Sequence, residues 1–167
     1  MSLANIFSRA SVGLNSPLVD VEVHIANGLP AFNIVGLPET SVREAKDRIR
    51  SAILNCGFEF PAKRITINLA PADLPKEGGR FDLPMAVGIL VASEQLPNED
   101  ISHYEFTGEL SLSGELRPIK GEIPVALACK TANRTLILPE QNAEQASWVS
   151  AVSIHPLMHL AQLLPHL

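Results

Sequence analysis

Cysteine is nearly absent from this chain of 167 residues, and the two present, Cys56 and Cys129, stand far apart with no Cys-x-x-Cys partner. Neither a disulfide framework nor a metal site is signalled by that pattern, which fits a reducing cytoplasm. No excess of positive charge is present either. The formal net charge is -5, which argues against a dedicated nucleic-acid-binding domain, because such domains carry a clear basic surplus. No apolar stretch is long enough to span a bilayer, and the first residues, Met1 to Ile6, lack the basic start and long apolar core of a signal peptide. Low-complexity tracts and fixed-period repeats are missing. Trp148, the only tryptophan, has no basic or aromatic neighbours in sequence. It therefore reads as a core residue rather than a base-stacking platform.

What is present is apolar residue, 46% of the chain, enough for residues 1–167 to form one compact domain without staples. The charge is uneven. Residues 1–80 hold nine Lys/Arg and eight Asp/Glu, whereas residues 81–167 hold four and ten. Val19, Val21, Val23 and Ile25 alternate with polar positions, the period of a half-buried strand. Asn27 to Pro30 then reads as a turn into a hairpin partner over 31–36, with a further strand over 6–13. Pro38 and Glu39 suit a helix start. Val42, Ala45, Ile49, Ala52 and Ile53 follow at helical spacing, with Gly57 just beyond the end.

Ile65, Ile67 and Leu69 mark another strand, and the Pro/Gly-rich segment 70–80 cannot be regular structure. Asp82 suits an N-cap, and Met85 to Ala92 is apolar all round, as a buried helix requires. Segments 105–110 and 115–119 read as a hairpin bending at Gly114. Helices are expected over 123–130, 141–148 and 157–164, with strands over 135–138 and 152–154. The alternation predicts an α+β (α/β-like) domain with a mixed sheet packed with helices.

The most informative run is Pro75-Lys76-Glu77-Gly78-Gly79-Arg80-Phe81-Asp82, set between a strand and the apolar helix. It resembles the Lon-type serine protease frame Pro-Lys-Asp-Gly-Pro-Ser-Ala-Gly, except that Arg80 stands where the nucleophilic serine belongs. Two further blocks are similar to that family. Thr107-Gly108-Glu109-Leu110-Ser111-Leu112-Ser113-Gly114-Glu115-Leu116-Arg117-Pro118-Ile119 matches its hairpin, and Leu136-Ile137-Leu138-Pro139-Glu140-Gln141-Asn142 its strand-to-helix turn. Between them the proteases carry Gly-Gly-hydrophobic-Lys, whose lysine is the general base. Here the ungapped alignment reads Lys120-Gly121-Glu122-Ile123, so Ile123 takes the lysine's place.

A serine hydroxyl needs a nearby base to become a nucleophile. Arg80 cannot attack a carbonyl, and Ile123 can accept no proton. The resemblance thus implies a Lon protease-like fold, of the ribosomal protein S5 domain 2 type, with a vestigial dyad at Arg80 and Ile123 and no catalytic residue. A peptidase with a displaced dyad would have to use Ser111 or Ser113, which no histidine or lysine pattern accompanies.

Together with Ser8-Arg9-Ala10-Ser11-Val12-Gly13 and Ile34-Val35-Gly36-Leu37-Pro38-Glu39, these blocks resemble the N-terminal domain of the bacterial magnesium-chelatase-like proteins of the YifB and ComM competence family. That resemblance implies a downstream AAA+ ATPase module using ATP and Mg2+, and a hexameric ring of subunits. It further implies a cytoplasmic DNA motor that extends recombination branches during natural transformation, with no membrane partner. None of the ten glycines here begins Gly-x-x-x-x-Gly-Lys-Ser/Thr, so this chain holds no phosphate-cradling loop, and no cofactor or metal ligand set is expected in it. A magnesium-chelatase subunit is the competing reading that the family's name suggests.

Lys63, Arg64, Lys76 and Arg80 are the expected contacts to DNA or an adjoining subunit. Lys76 and Arg80 are expected to be exposed on the 70–80 loop; the alternative is a tight turn that only positions a helix start. Arg43, Lys46, Arg48 and Arg50, interrupted by Glu44 and Asp47, read as a solvated helix face. His155 and His159 have i, i+4 spacing but no acidic or cysteine partner, and read as surface histidines.

Overall fold

The computed structural model describes residues 2–164, arranged as a seven-stranded mixed sheet with helices, plus a two-stranded hairpin. Alternation builds the centre of the sheet. β1 (Ser2–Arg9), β2 (Leu18–Ala26) and β4 (Arg64–Ala70) pair antiparallel so that Ala4 lies opposite Val23, Ile6 opposite Val21, and Val21 in turn opposite Leu69. Each of these side chains is buried on one face, while Glu22, His24 and Thr66 turn to the other.

β3 (Ala31–Val35) departs from the hairpin expectation. It pairs parallel with β4 rather than antiparallel with β2. Both edges of β2 are already taken, by β1 and by β4, so the incoming strand finds its unpaired backbone groups only on the outer edge of β4. A parallel pair needs a long crossover. Two helices supply it, α1 (Thr40–Arg43) and α2 (Ala45–Asn55). Beyond β1 the sheet continues parallel through β5 (Tyr104–Phe106) and β8 (Thr135–Pro139) to β9 (Ile154–Leu157). Glu105 on β5 is buried and accepts from Arg9 Nε on β1 at 2.7 Å and from Arg134 Nη1, just before β8, at 3.0 Å.

α3 (Asp82–Ala92) is buried along all of its residues, as its composition requires, and lies across β1 and β2. Gly88 makes the approach possible: a Cβ there would stand 2.4 Å from Val23 Cγ2. A second, smaller core gathers Val125, Leu136, Leu138 and Ala146 between α4 (Glu122–Thr131), β8 and α5 (Glu140–Ala146). Among the described residues no helix is long and apolar enough to cross a membrane.

Several boundaries differ from expectation for local reasons. The first strand is Ser2–Arg9 rather than 6–13, because the chain turns back at Gly13, with Val12 and Asn15 bridged. Tyr104–Phe106 joins the main sheet, and only β6 (Glu109–Leu110) and β7 (Leu116–Arg117) form the hairpin, which does bend at Gly114 with φ +96. The terminal helix over 157–164 is replaced by β9 and one 3-10 turn, Leu160–Gln162. Pro156 sits in β9, which an edge strand tolerates because a proline there withholds no needed donor. His155 and His159 therefore share no helix. Trp148 is 66% exposed, since α5 ends at Ala146 and the core positions fall to Ala146 and Val149.

Gly88→Ala tests how tightly α3 is seated. Helix propensity alone favours the alanine by up to about 1 kcal/mol, whereas overpacking a core costs about 1–3 kcal/mol. With sheet beneath and protein above, the steric cost wins, and urea unfolding is expected to show a loss of about 1–2 kcal/mol. A gain would mean that α3 stands off the sheet.

Candidate functional site

Segment 71–80 returns from β4 to the start of α3 and folds under the connection between β3 and α1. Lys76 is fully buried there. Its Nζ donates to the Gly36 carbonyl at 2.6 Å and to the Pro71 carbonyl. Its amide donates to Leu37 O at 3.2 Å, and its carbonyl accepts from the Glu39 amide at 2.9 Å. Gly36, at φ +103, allows this crossing, since a Cβ would meet Leu69 O at 2.2 Å. Burial pushes the Lys76 ammonium pKa down, partly opposed by Asp73. Ser41 Oγ completes the anchorage by accepting from the Gly78 amide at 2.9 Å.

Arg80 follows and is also buried, at 8% exposure. One guanidinium nitrogen, Nη2, donates to the Lys120 carbonyl, while Nη1 is buried with no hydrogen-bond partner among the described residues. Burial pushes its pKa down, with Glu77 and then Glu122 pulling the other way. The expectation of an exposed loop is thus overturned at both basic positions: Glu77 and Gly78 face solvent, Lys76 and Arg80 turn inward. The cause is α3, whose start lies inside the protein.

Asp82 completes the arrangement. It does not cap the helix. Its fully buried carboxylate accepts from Arg48 Nε at 2.8 Å, Arg48 Nη2 at 3.1 Å and the Leu110 amide at 3.0 Å. Arg48, expected on a solvated face, is therefore the two-pronged partner of a buried acid, and Arg50 lies over the Phe60 ring at 5.3 Å. Burial pushes the Asp82 carboxyl up to about 6, against the pull of Arg48. The 107–110 block is stitched to the same helix start, with the Gly108 amide donating to Arg80 O and the Leu83 amide to Gly108 O, each at 3.0 Å.

A cleft of about 390 Å³ opens at this point, with Arg80, Glu77, Glu109 and Lys120 on its walls. Ile123 is not among its lining residues; it packs half-buried on the second core. Buried Asn142 fixes the intervening turn by pairing with both backbone groups of Ile119, at 2.9 and 2.8 Å, and with Glu122 Oε2 at 2.9 Å. Ser111 and Ser113 bond each other at 3.1 Å, and Ser111 Oγ also accepts from the Glu115 amide; among the described residues no His or Lys hydrogen-bonds either hydroxyl. Lys63 and Arg64 are exposed at the opposite end of β4, a strand length of about 20 Å from Lys76. The four candidate bases do not form one patch.

His159 Nδ1 lies 3.7 Å from Cys56 Sγ and accepts from the Ala161 amide. No cluster of three or more His, Cys, Asp or Glu able to hold a metal occurs among the described residues. Sequence reasoning missed Arg48, Asn142 and Glu105, whose partners are 20 to 96 residues away. Only the rarity of buried charge beside apolar runs hinted at them.

Residues 21–142 match the family model described as subunit ChlI of Mg-chelatase. The chain belongs to this ChlI, Mg-chelatase-like family. It is 59% identical over 150 residues to competence protein ComM of Haemophilus influenzae, covering 90% of this chain and 30% of that protein. It is 52% identical to protein YifB of Escherichia coli over the same shares. A Lon protease of Brevibacillus choshinensis is 28% identical, over 89% of this chain and 20% of its own length. The chain spans about a third of the ComM and YifB relatives, and its mixed α/β architecture is Lon-like.

The raised Asp82 pKa sets a pH dependence. The folded carboxyl, at about 6, exceeds its ordinary value of 3.8, so the folded state binds more protons between these limits. Stability contributed by Asp82 accordingly falls as pH rises through that window and is flat above it. Thermal unfolding of the wild type and of Asp82→Asn should show the wild type gaining on the variant from pH 7 down to pH 4.5. Parallel profiles would contradict the assignment.

Proposed function

We propose that this chain is the non-catalytic, Lon-like N-terminal domain of an AAA+ ATPase of the ComM and YifB type. On this reading the full-length protein is a cytoplasmic, hexameric DNA helicase that promotes branch migration during natural transformation. The observation that carries the non-catalytic part is the pair of dyad positions. Arg80 occupies the serine's place with its guanidinium held by the Lys120 carbonyl, and Ile123 occupies the lysine's place while packing on the second core. Neither position offers a nucleophile or a base.

The likeness to a protein named for competence supports the DNA setting. ATP and Mg2+ belong, on this reading, to a downstream AAA+ module, with neighbouring subunits of the ring and DNA as partners. Of the four candidate bases, Lys63 and Arg64 are the exposed ones, suited to phosphate contact. Lys76 is enclosed and instead holds the loop. A domain of net charge -5 attracts DNA weakly by itself.

The test uses the full-length protein. DNA-stimulated ATP hydrolysis and extension of a three-strand joint are expected, with both reduced several-fold in the Lys63→Ala, Arg64→Ala variant at a stability change within about 0.5 kcal/mol. A fluorophosphonate probe should label nothing in this domain. ATP hydrolysis indifferent to DNA would contradict the motor reading, and labelling lost in Ser111→Ala would contradict the non-catalytic one.

A further inference from the structure

We propose that the cleft at Arg80 is a binding site for a single carboxylate borne on a polypeptide segment. The argument starts from the guanidinium. It is more than nine-tenths buried, one nitrogen is held by the Lys120 carbonyl, and Nη1 has no acceptor among the described residues. A buried charge is costly, and an anion entering the cleft that Arg80 lines offsets part of that cost through charge. Neither wall acid supplies this: Glu77 and Glu109 line the cleft, yet no ion pair joins either of them to Arg80.

The surroundings select the kind of anion. Glu77 and Glu109 would repel a polyphosphate or a nucleic-acid backbone, whose charges come in series. A lone carboxylate in an otherwise neutral segment needs only one cation, and the Arg80 guanidinium is that cation. Pro75 and Pro118 give the cleft apolar walls for the rest of such a segment, and Lys120 stands exposed at its rim. The occupant is therefore a protein segment carrying one glutamate or aspartate, or a free C-terminal carboxylate. This inference does not depend on the motor reading.

The experiment follows the arginine guanidinium resonances of the 167-residue chain by NMR. The probes are a capped heptapeptide with one glutamate, its glutamine counterpart, an uncapped peptide whose only carboxylate is its C-terminus, inorganic phosphate and a short duplex DNA. The structure predicts a saturable shift of the Arg80 signal with at least one carboxylate peptide and none with the glutamine peptide. The capped and uncapped peptides tell side-chain from terminal recognition. Affinity should fall at least tenfold in Arg80→Gln and rise several-fold in Glu109→Gln, which removes a like charge from the wall. Should Arg80→Gln fail to fold, the glutamine peptide and Glu109→Gln still decide the matter. Equal binding of the glutamine peptide, no response to either carboxylate peptide, or a response to phosphate or DNA alone would overturn the proposal.

Discussion

Helix α3 is apolar on every side, and it can be stable only if protein covers it along its whole length. That requirement places the helix's first residues inside the molecule, and the chain leading into them must be polar enough to turn yet must also be buried. The solution is a set of inward-facing charges. Lys76 spends its ammonium on the Gly36 and Pro71 carbonyls, Arg80 on the Lys120 carbonyl, and Asp82 on Arg48 and the Leu110 amide. Apart from the bond to Pro71, which lies within the loop itself, these bonds reach the β3–α1 connection, the turn before α4, α2 and β6. A loop rich in proline and glycine is thereby tied to the fold at several points.

The same geometry bears on the proposal that a protease-like frame is kept here without its chemistry. In a nucleophilic site the residue opening the buried helix must remain available to attack, with a base beside it. Here the equivalent residue, Arg80, is tied down by the turn that follows β7, and Asn142 fixes that turn through Ile119 and Glu122. Ile123, one residue further, points into the smaller core. What is left is a cleft with a cation at its inner wall.

Elements whose information is periodic were legible in the sequence. β2 and β4 follow from strict alternation, and α3 follows from an apolar run too long for a strand. The family likeness was legible as well, because it depends on residue identity at fixed spacing. What could not be read was pairing. Nothing local says that β3 seeks β4 rather than β2, since that depends on which edges are already occupied. The burial of Lys76 and Arg80 was hidden for a related reason: a lysine between proline and glutamate looks solvated until the cover over α3 is known. Pro156 should have warned against a helix next to it, and the outward turn of Trp148 follows from α5 ending two residues earlier.

Native-state amide hydrogen exchange measures the central claim most directly, that buried charge locks the loop to the rest of the fold. The Lys76 and Glu39 amides form the two backbone bonds between the loop and the β3–α1 connection. They are expected to exchange with free energies near those of the β2 and β4 amides, because freeing them requires pulling the Lys76 ammonium out of its site. Exchange at the rate of an open surface loop would show that the segment moves independently, and the account of α3's burial as the organising constraint would fail.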